Sequence, residues 1–88
     1  MEISNCAIKE GTYIFADTNS NISIKDSFIG RNCVVVAKNM ITIKKGCLIA
    51  EMVVVRDQDH FLNSSQEENL RDKFTTAPIC IEENVWLG

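Results

Sequence analysis

Branched aliphatic residues recur along this chain at intervals of six positions. Two runs show the interval: Ile29, Val35 and Ile41, then Ile43, Ile49 and Val55. An amphipathic helix would space its apolar residues by three and four, and a half-buried strand would alternate strictly. A period of six matches neither pattern over long stretches. It is typical of a repeat built from short flat sides, each with one aliphatic residue facing inward.

A longer repeat contains this period. Residues 22–28, 41–47 and 79–85 each have an Ile-x-Ile strand, two charged residues, a small or polar residue and an apolar one. The first two segments lie 19 residues apart, and the third lies 38 residues beyond the second. That gap leaves room either for one more repeat or for an insertion. Three sides of six positions nearly account for 19, so we expect a three-sided solenoid.

The composition favours strands. Ile occurs 11 times and Val seven times, against four Leu, and β-branched side chains suit a pleated surface. Residues 62–73 lack Ile and Val, so one or two helical turns could form there. We therefore expect an all-β protein that forms a single domain over residues 1–88.

Charge and hydropathy exclude some partners. A net charge of −3 argues against a nucleic acid held through its phosphates. No apolar run approaches the ~20 residues that span a bilayer, and no signal peptide opens the chain. We expect a cytoplasmic protein without a membrane partner.

Four cysteines and one histidine do not form a metal motif. The cysteines show no C-x-x-C spacing, so structural zinc is not expected. Without a secretion signal a disulfide framework is also disfavoured. We expect buried or half-buried thiols and no metal.

Three stretches together resemble a known family: Ile41–Ala50, Val53–His60 and Ala77–Gly88. The second ends in Asp-Gln-Asp-His, and the third reads Pro-Ile-x-Ile-x-x-Asn-Val-Trp-Leu-Gly. The pattern is similar to the left-handed parallel β-helix of the hexapeptide-repeat acyltransferases. Within that family it resembles the maltose, galactoside and polysaccharide O-acetyltransferases.

The resemblance implies a fold and an activity. The fold would be a partial left-handed parallel β-helix with an irregular loop excursion at about residues 57–77. The activity would be O-acetyl transfer from acetyl-CoA to a hydroxyl of a sugar or surface polysaccharide. It also implies a homotrimer with the site between two subunits. Family enzymes continue for several further coils after the position of Gly88, so we expect this chain to be a fragment.

His60 is the candidate general base, because an imidazole titrates near neutral pH and the attacking hydroxyl must lose its proton. The aligned histidine of the family has this role. Asp57 and Asp59 could orient the imidazole or contact substrate, or they could bind backbone amides at a turn. The tryptophan aligned with Trp86 borders the family's substrate site, although Trp86 could instead cap the repeat or pack in a subunit contact. The loop Phe61–Thr76 would help to wall the site.

Two other functions are considered. A truncated, non-catalytic remnant or interaction module would keep the fold without a coenzyme site. The γ-type carbonic anhydrases share the solenoid but bind zinc with three histidines, and this chain has one.

Overall fold

The computed structural model describes the backbone of residues 1–60 and 74–88, and the side chains of residues 1–58 and 75–88. Every regular element in this part of the chain is a β-strand. The prediction of an all-β protein is confirmed. The described residues include no helix long and apolar enough to cross a membrane.

Eleven of the strands form three parallel sheets, which we call the stack. The first sheet has the order β1 (Glu2–Ser4), β4 (Asn21–Lys25), β7 (Met40–Ile43) and β12 (Ile79–Ile81). The second sheet has β2 (Ala7–Ile8), β5 (Phe28–Ile29), β8 (Leu48–Ile49) and β13 (Trp86–Leu87). The third sheet has β3 (Tyr13–Ala16), β6 (Val34–Ala37) and β9 (Val54–Arg56). Consecutive strands therefore visit the three sheets in turn.

The register aligns the repeated segments. Ile22 pairs with Ile41 between β4 and β7, and Ile41 pairs with Ile79 between β7 and β12. β12 lies directly beside β7 in the first sheet, so no further repeat separates these two strands. The spacing of 38 residues therefore reflects an insertion.

The core consists of the inward aliphatic residues of all three sheets. In β4 the pattern is clear: Ile22 and Ile24 are fully buried, and Lys25 is exposed. The aliphatic residues that recur at six-residue intervals between Ile29 and Val55 are buried, and so is Ile81: Ile29, Val35, Ile41, Ile43, Ile49, Val55 and Ile81. Burying one such side chain contributes about 1.5–3 kcal/mol, so these columns hold the three sheets together.

The corners between the first and second sheets need a left-handed backbone. Gly46 has a φ of 78° and Asn84, the next residue in this column, has a φ of 61°. Glycine and asparagine are the residues that adopt this region most readily. Asn84 therefore occupies a turn position that asparagine tolerates. A Cβ added to Gly46 would collide with Asn84 Oδ1.

Small thiol and hydroxyl side chains also form hydrogen bonds across corners, at Cys33 between the second and third sheets and at Ser27 and Cys47 between the first and second sheets. The Cys33 thiol donates to the Ala50 carbonyl at 2.9 Å, and the Cys47 thiol donates to the Glu82 carbonyl at 3.0 Å. Ser27 Oγ accepts the Cys47 N–H at 3.2 Å. All four cysteines are free, and Cys80 is exposed rather than buried as expected. The buried thiols therefore satisfy backbone carbonyls at the corners.

Candidate functional site

The chain leaves the stack immediately after β9. Residues Gln58–His60 form β10, which pairs antiparallel with β11 (Phe74–Thr76). Two residues after β11 the chain re-enters the first sheet as β12. The β10–β11 pair thus stands at the corner between the third and first sheets, and it includes Asp59 and His60 of the predicted motif.

Asp57 is hydrogen-bonded at the point where the chain leaves the stack. Its side chain is 5% exposed, with Oδ1 accepting the Lys38 N–H and Oδ2 accepting the Asn39 N–H, both at 2.8 Å. In the preceding strand pair the equivalent N–H, that of Asp17, donates to the backbone carbonyl of Ala37 at 2.9 Å. The Asp57 carboxylate therefore replaces a backbone acceptor at the point where the third sheet stops growing.

These bonds give Asp57 an observed structural role. The carboxylate is bound to backbone amides, the alternative that Asp residues at turns often adopt, and here the amides belong to the neighbouring strand. The Asp57 carbonyl also accepts the Ala77 N–H at 3.1 Å, which draws the returning chain to the same corner. Contact between Asp57 and a substrate or an imidazole stays a prediction.

An open groove of about 570 Å³ lies beside this corner. Its lining residues are Arg56, Asp57, Gln58, Thr75, Thr76, Ala77, Pro78 and Ile79. The volume falls within the ~300–1,000 Å³ range of small-molecule sites. We call it the β10 groove.

Two polar side chains shape the wall of the β10 groove. Thr76 Oγ1 accepts a hydrogen bond from Asn39 Nδ2 at 3.2 Å. Gln58 Oε1 is shielded from solvent, and no hydrogen bond from the described residues reaches it. A buried acceptor without a donor costs about 1–3 kcal/mol. The wall therefore contains an acceptor that a further donor would stabilise.

Asp59 and His60 are placed by their backbone alone. Asp59 lies opposite Thr75 and His60 lies opposite Phe74 in the β10–β11 register. His60 is two residues beyond Gln58, about 7 Å along an extended strand. The side chains of Asp59 and His60 lie outside the described part of the structure. So do residues 61–73, with the predicted helical turns and most of the predicted wall Phe61–Thr76.

Trp86 lies on a different sheet from the groove. It pairs with Leu48 in the second sheet, its side chain is 74% exposed, and it does not line the β10 groove. Phe28 and Leu48 stand in the same outward column, 36% and 42% exposed. Within one chain the structure therefore brings Asp57 to the groove and leaves Trp86 on another face.

An ion pair between Asp17 and Lys38 lies next to this corner. Asp17 Oδ2 lies 2.9 Å from Lys38 Nζ, and Asp17 Oδ1 accepts the Thr18 N–H at 2.8 Å. The bond from the Lys38 ammonium, together with that N–H, lowers the pKa of Asp17 below its ordinary value of 3.8. Lys38 is thus held by Asp17 through its side chain and by Asp57 through its backbone. Among the described residues no group of His, Cys, Asp and Glu is arranged to hold a metal ion.

The sequence did not indicate Gln58 as a groove residue. It lines the groove because β10 and β11 pair across a long connection, and no periodic signal marks that pairing. Thr75 and Thr76 also line the groove, and they belong to the segment Phe61–Thr76 that was expected to help wall the site. The only local signal is Pro78, which cannot donate a backbone hydrogen bond and suits the start of a strand.

Comparisons with known proteins identify no relative. No protein-family model matches the chain, and neither a curated protein nor a solved structure matches it significantly.

Proposed function

We propose that this chain is a partial left-handed parallel β-helix of an O-acetyltransferase. The reaction would transfer an acetyl group from acetyl-CoA to a hydroxyl of a sugar or surface polysaccharide. One observation carries the proposal: the segment Asp57–His60 leaves a stack of three parallel sheets beside an open groove. Asp57 and Gln58 of this segment line the groove, which supports a substrate site next to the residues that resemble the O-acetyltransferase motif.

The proposed chemistry assigns one step to His60. The acceptor hydroxyl oxygen attacks the thioester carbonyl carbon while the imidazole takes the hydroxyl proton. The resulting tetrahedral oxyanion collapses, the carbon–sulfur bond breaks, and the coenzyme thiolate recovers a proton from the imidazolium. Of the two carboxylates in the motif, Asp57 already binds two backbone amides.

A homotrimer is part of the proposal. Trp86 and the β10 groove occupy different faces of one chain, so they can share a site only when the tryptophan comes from a second copy. Phe28, Leu48 and Trp86 form an exposed column on the outer face of the second sheet. Such a column suits burial between subunits. With acetyl-CoA as the proposed donor, the proposal includes a cytoplasmic location.

The decisive experiment replaces His60 with alanine. Acetyl transfer is measured as release of coenzyme A thiol in the presence of a panel of sugars. We expect H60A to lower kcat by about 10²–10⁴-fold, the usual contribution of a general base. Light scattering on the same sample should show an unchanged assembly. Unchanged turnover in H60A would refute the assignment.

A non-catalytic interaction module is the second candidate, and the exposure of Trp86 and Leu48 favours it. A thermal-shift titration with acetyl-CoA separates the two. Specific binding to the folded state raises stability by about 2.7 kcal/mol when the ligand is at 100 times its Kd. The enzyme predicts a rise in Tm, and the module predicts none at millimolar acetyl-CoA.

A further inference from the structure

We propose that the β10 groove selects a saccharide that carries a carboxylate, with Arg56 as the residue that binds it. This inference rests on the proposed function, because it takes the ligand of the groove to be the acetyl acceptor.

Among the described residues that line the groove, the exposed charge is positive. Arg56 is exposed at the end of β9 and is the only cationic residue among those that line the groove. Asp57 is the only carboxylate among them, and it is buried with both oxygens accepting backbone N–H groups. A ligand in the groove therefore meets a guanidinium and no accessible carboxylate from the lining residues.

The position of Arg56 differs from that of cations that serve the fold. The ion pairs among the described residues are Arg31–Glu10, Lys38–Asp17 and Lys44–Glu82, each with its acid on a neighbouring strand or corner.

Arg56 instead ends an outward column whose other members are Val36 and Phe15. No cross-strand acid in that column balances it. A guanidinium offers a planar fork that matches a carboxylate through two parallel hydrogen bonds.

The remaining polar groups of the groove suit sugar hydroxyls. The Thr76 oxygen accepts from Asn39, which leaves its own O–H to donate. Thr75 is exposed beside it. A carboxylate for Arg56 and hydroxyls for Thr75 and Thr76 together describe an acidic sugar.

The test compares two sugars that differ in one group. Calorimetric or NMR titrations of the whole protein with D-glucuronate and with D-glucose are run without acetyl-CoA. We expect glucuronate to bind at least about 10-fold more tightly, as a charge-assisted bidentate contact allows. Arg56→Gln should reduce the preference to within about twofold, and Arg56→Lys should keep part of it because the charge stays and the fork is lost.

Arg31→Gln is the matched control. Arg31 is an exposed arginine paired with Glu10 at 3.0 Å, and it does not line the β10 groove. Its replacement should leave the preference for glucuronate intact. Equal binding of both sugars by the wild type, no binding of either, or a preference that survives Arg56→Gln would each overturn the inference.

The outcomes separate this inference from the proposed function. If His60-dependent acetyl transfer is found but Arg56 does not affect sugar binding, only the inference fails. If Arg56 selects glucuronate while H60A retains full turnover or no turnover exists, the assigned chemistry fails and the binding site stands.

Discussion

At the scale of single residues, Asp57 shows how one side chain ends a sheet. Its side chain faces inward in the third sheet, two positions beyond the inward Val55. The neighbouring strand has Val35 and Ala37 at the corresponding inward positions. An inward carboxylate in an apolar column is expensive unless its oxygens are bonded. Here each oxygen accepts one amide of the adjacent corner. The residue that resembles part of a catalytic motif therefore also stabilises the fold.

Asp57→Asn tests this role. Asparagine has one acceptor oxygen, so its NH₂ group would face either the Lys38 or the Asn39 N–H and leave that donor unpaired. We expect the free energy of unfolding to fall by about 1–3 kcal/mol, measured by urea denaturation followed by circular dichroism. For a domain of this size each kcal/mol corresponds to about 4–8 °C in Tm.

Asp26→Asn is the control for that substitution. Asp26 is exposed, has a φ of 50°, and accepts from Asn5 Nδ2 at 2.6 Å. Asparagine keeps an acceptor there and tolerates the left-handed region, so the change should stay within about 0.5 kcal/mol. An equally small effect at Asp57 would mean that its carboxylate does not secure the corner.

At the scale of elements, the corners between strands set the spacing of the stack. Gly46 and Asn84 take the left-handed conformation one above the other, and the asparagine side chain packs over the glycine. Only a residue without a Cβ leaves space for this contact. The corner therefore depends on both residues together.

Gly46→Ala should destabilise the protein by more than the about 1–2 kcal/mol that a left-handed alanine costs, because the new Cβ also meets Asn84 Oδ1. The double variant Gly46→Ala with Asn84→Gly removes that collision. It should regain the part of the stability lost to the collision, but not the part lost to the left-handed conformation of alanine. A double-mutant cycle in urea measures the coupling.

Gly88→Ala provides the comparison for that cycle. A Cβ at Gly88 would lie 3.7 Å from Trp86 Nε1 and 3.8 Å from Ala50 Cβ, which is ordinary contact. Its stability should match the wild type. Additive effects at Gly46 and Asn84 would contradict the proposed packing.

The elements that repeat could be predicted from the sequence, and those that do not repeat could not. The six-residue period identified the buried columns, because each flat side must bury one aliphatic residue at Ile29, Val35, Ile49 and Val55. The pairing of β10 with β11 joins residues across a connection without periodicity, so no pattern indicated that Gln58 would lie opposite Thr76. Likewise, the Asp57 bonds to Lys38 and Asn39 depend on the register between strands, which a linear pattern does not contain.

At the scale of the whole molecule, the outer faces of the stack differ. The second sheet exposes Phe28, Leu48 and Trp86 in one column. The first sheet exposes Met40 beside the polar column of Ser23, Thr42 and Cys80. If the proposed trimer buries the face of the second sheet, a charge at Leu48 should disrupt assembly, whereas one at Met40 should not.

Leu48→Glu and Met40→Glu form a matched pair, since the two side chains are 42% and 45% exposed in the chain. A glutamate at either exposed position should change the stability of a single chain by no more than about 0.5 kcal/mol. In the proposed trimer, Leu48→Glu would bury an unpaired carboxylate at each interface, which is strongly unfavourable. Size-exclusion chromatography with light scattering should therefore show three copies of the 9.9 kDa chain for the wild type and Met40→Glu, and one copy for Leu48→Glu. A wild type that runs as a single chain, or a trimer that survives Leu48→Glu, would exclude this face as the subunit contact, and Trp86 of a second copy could not then reach the β10 groove through it.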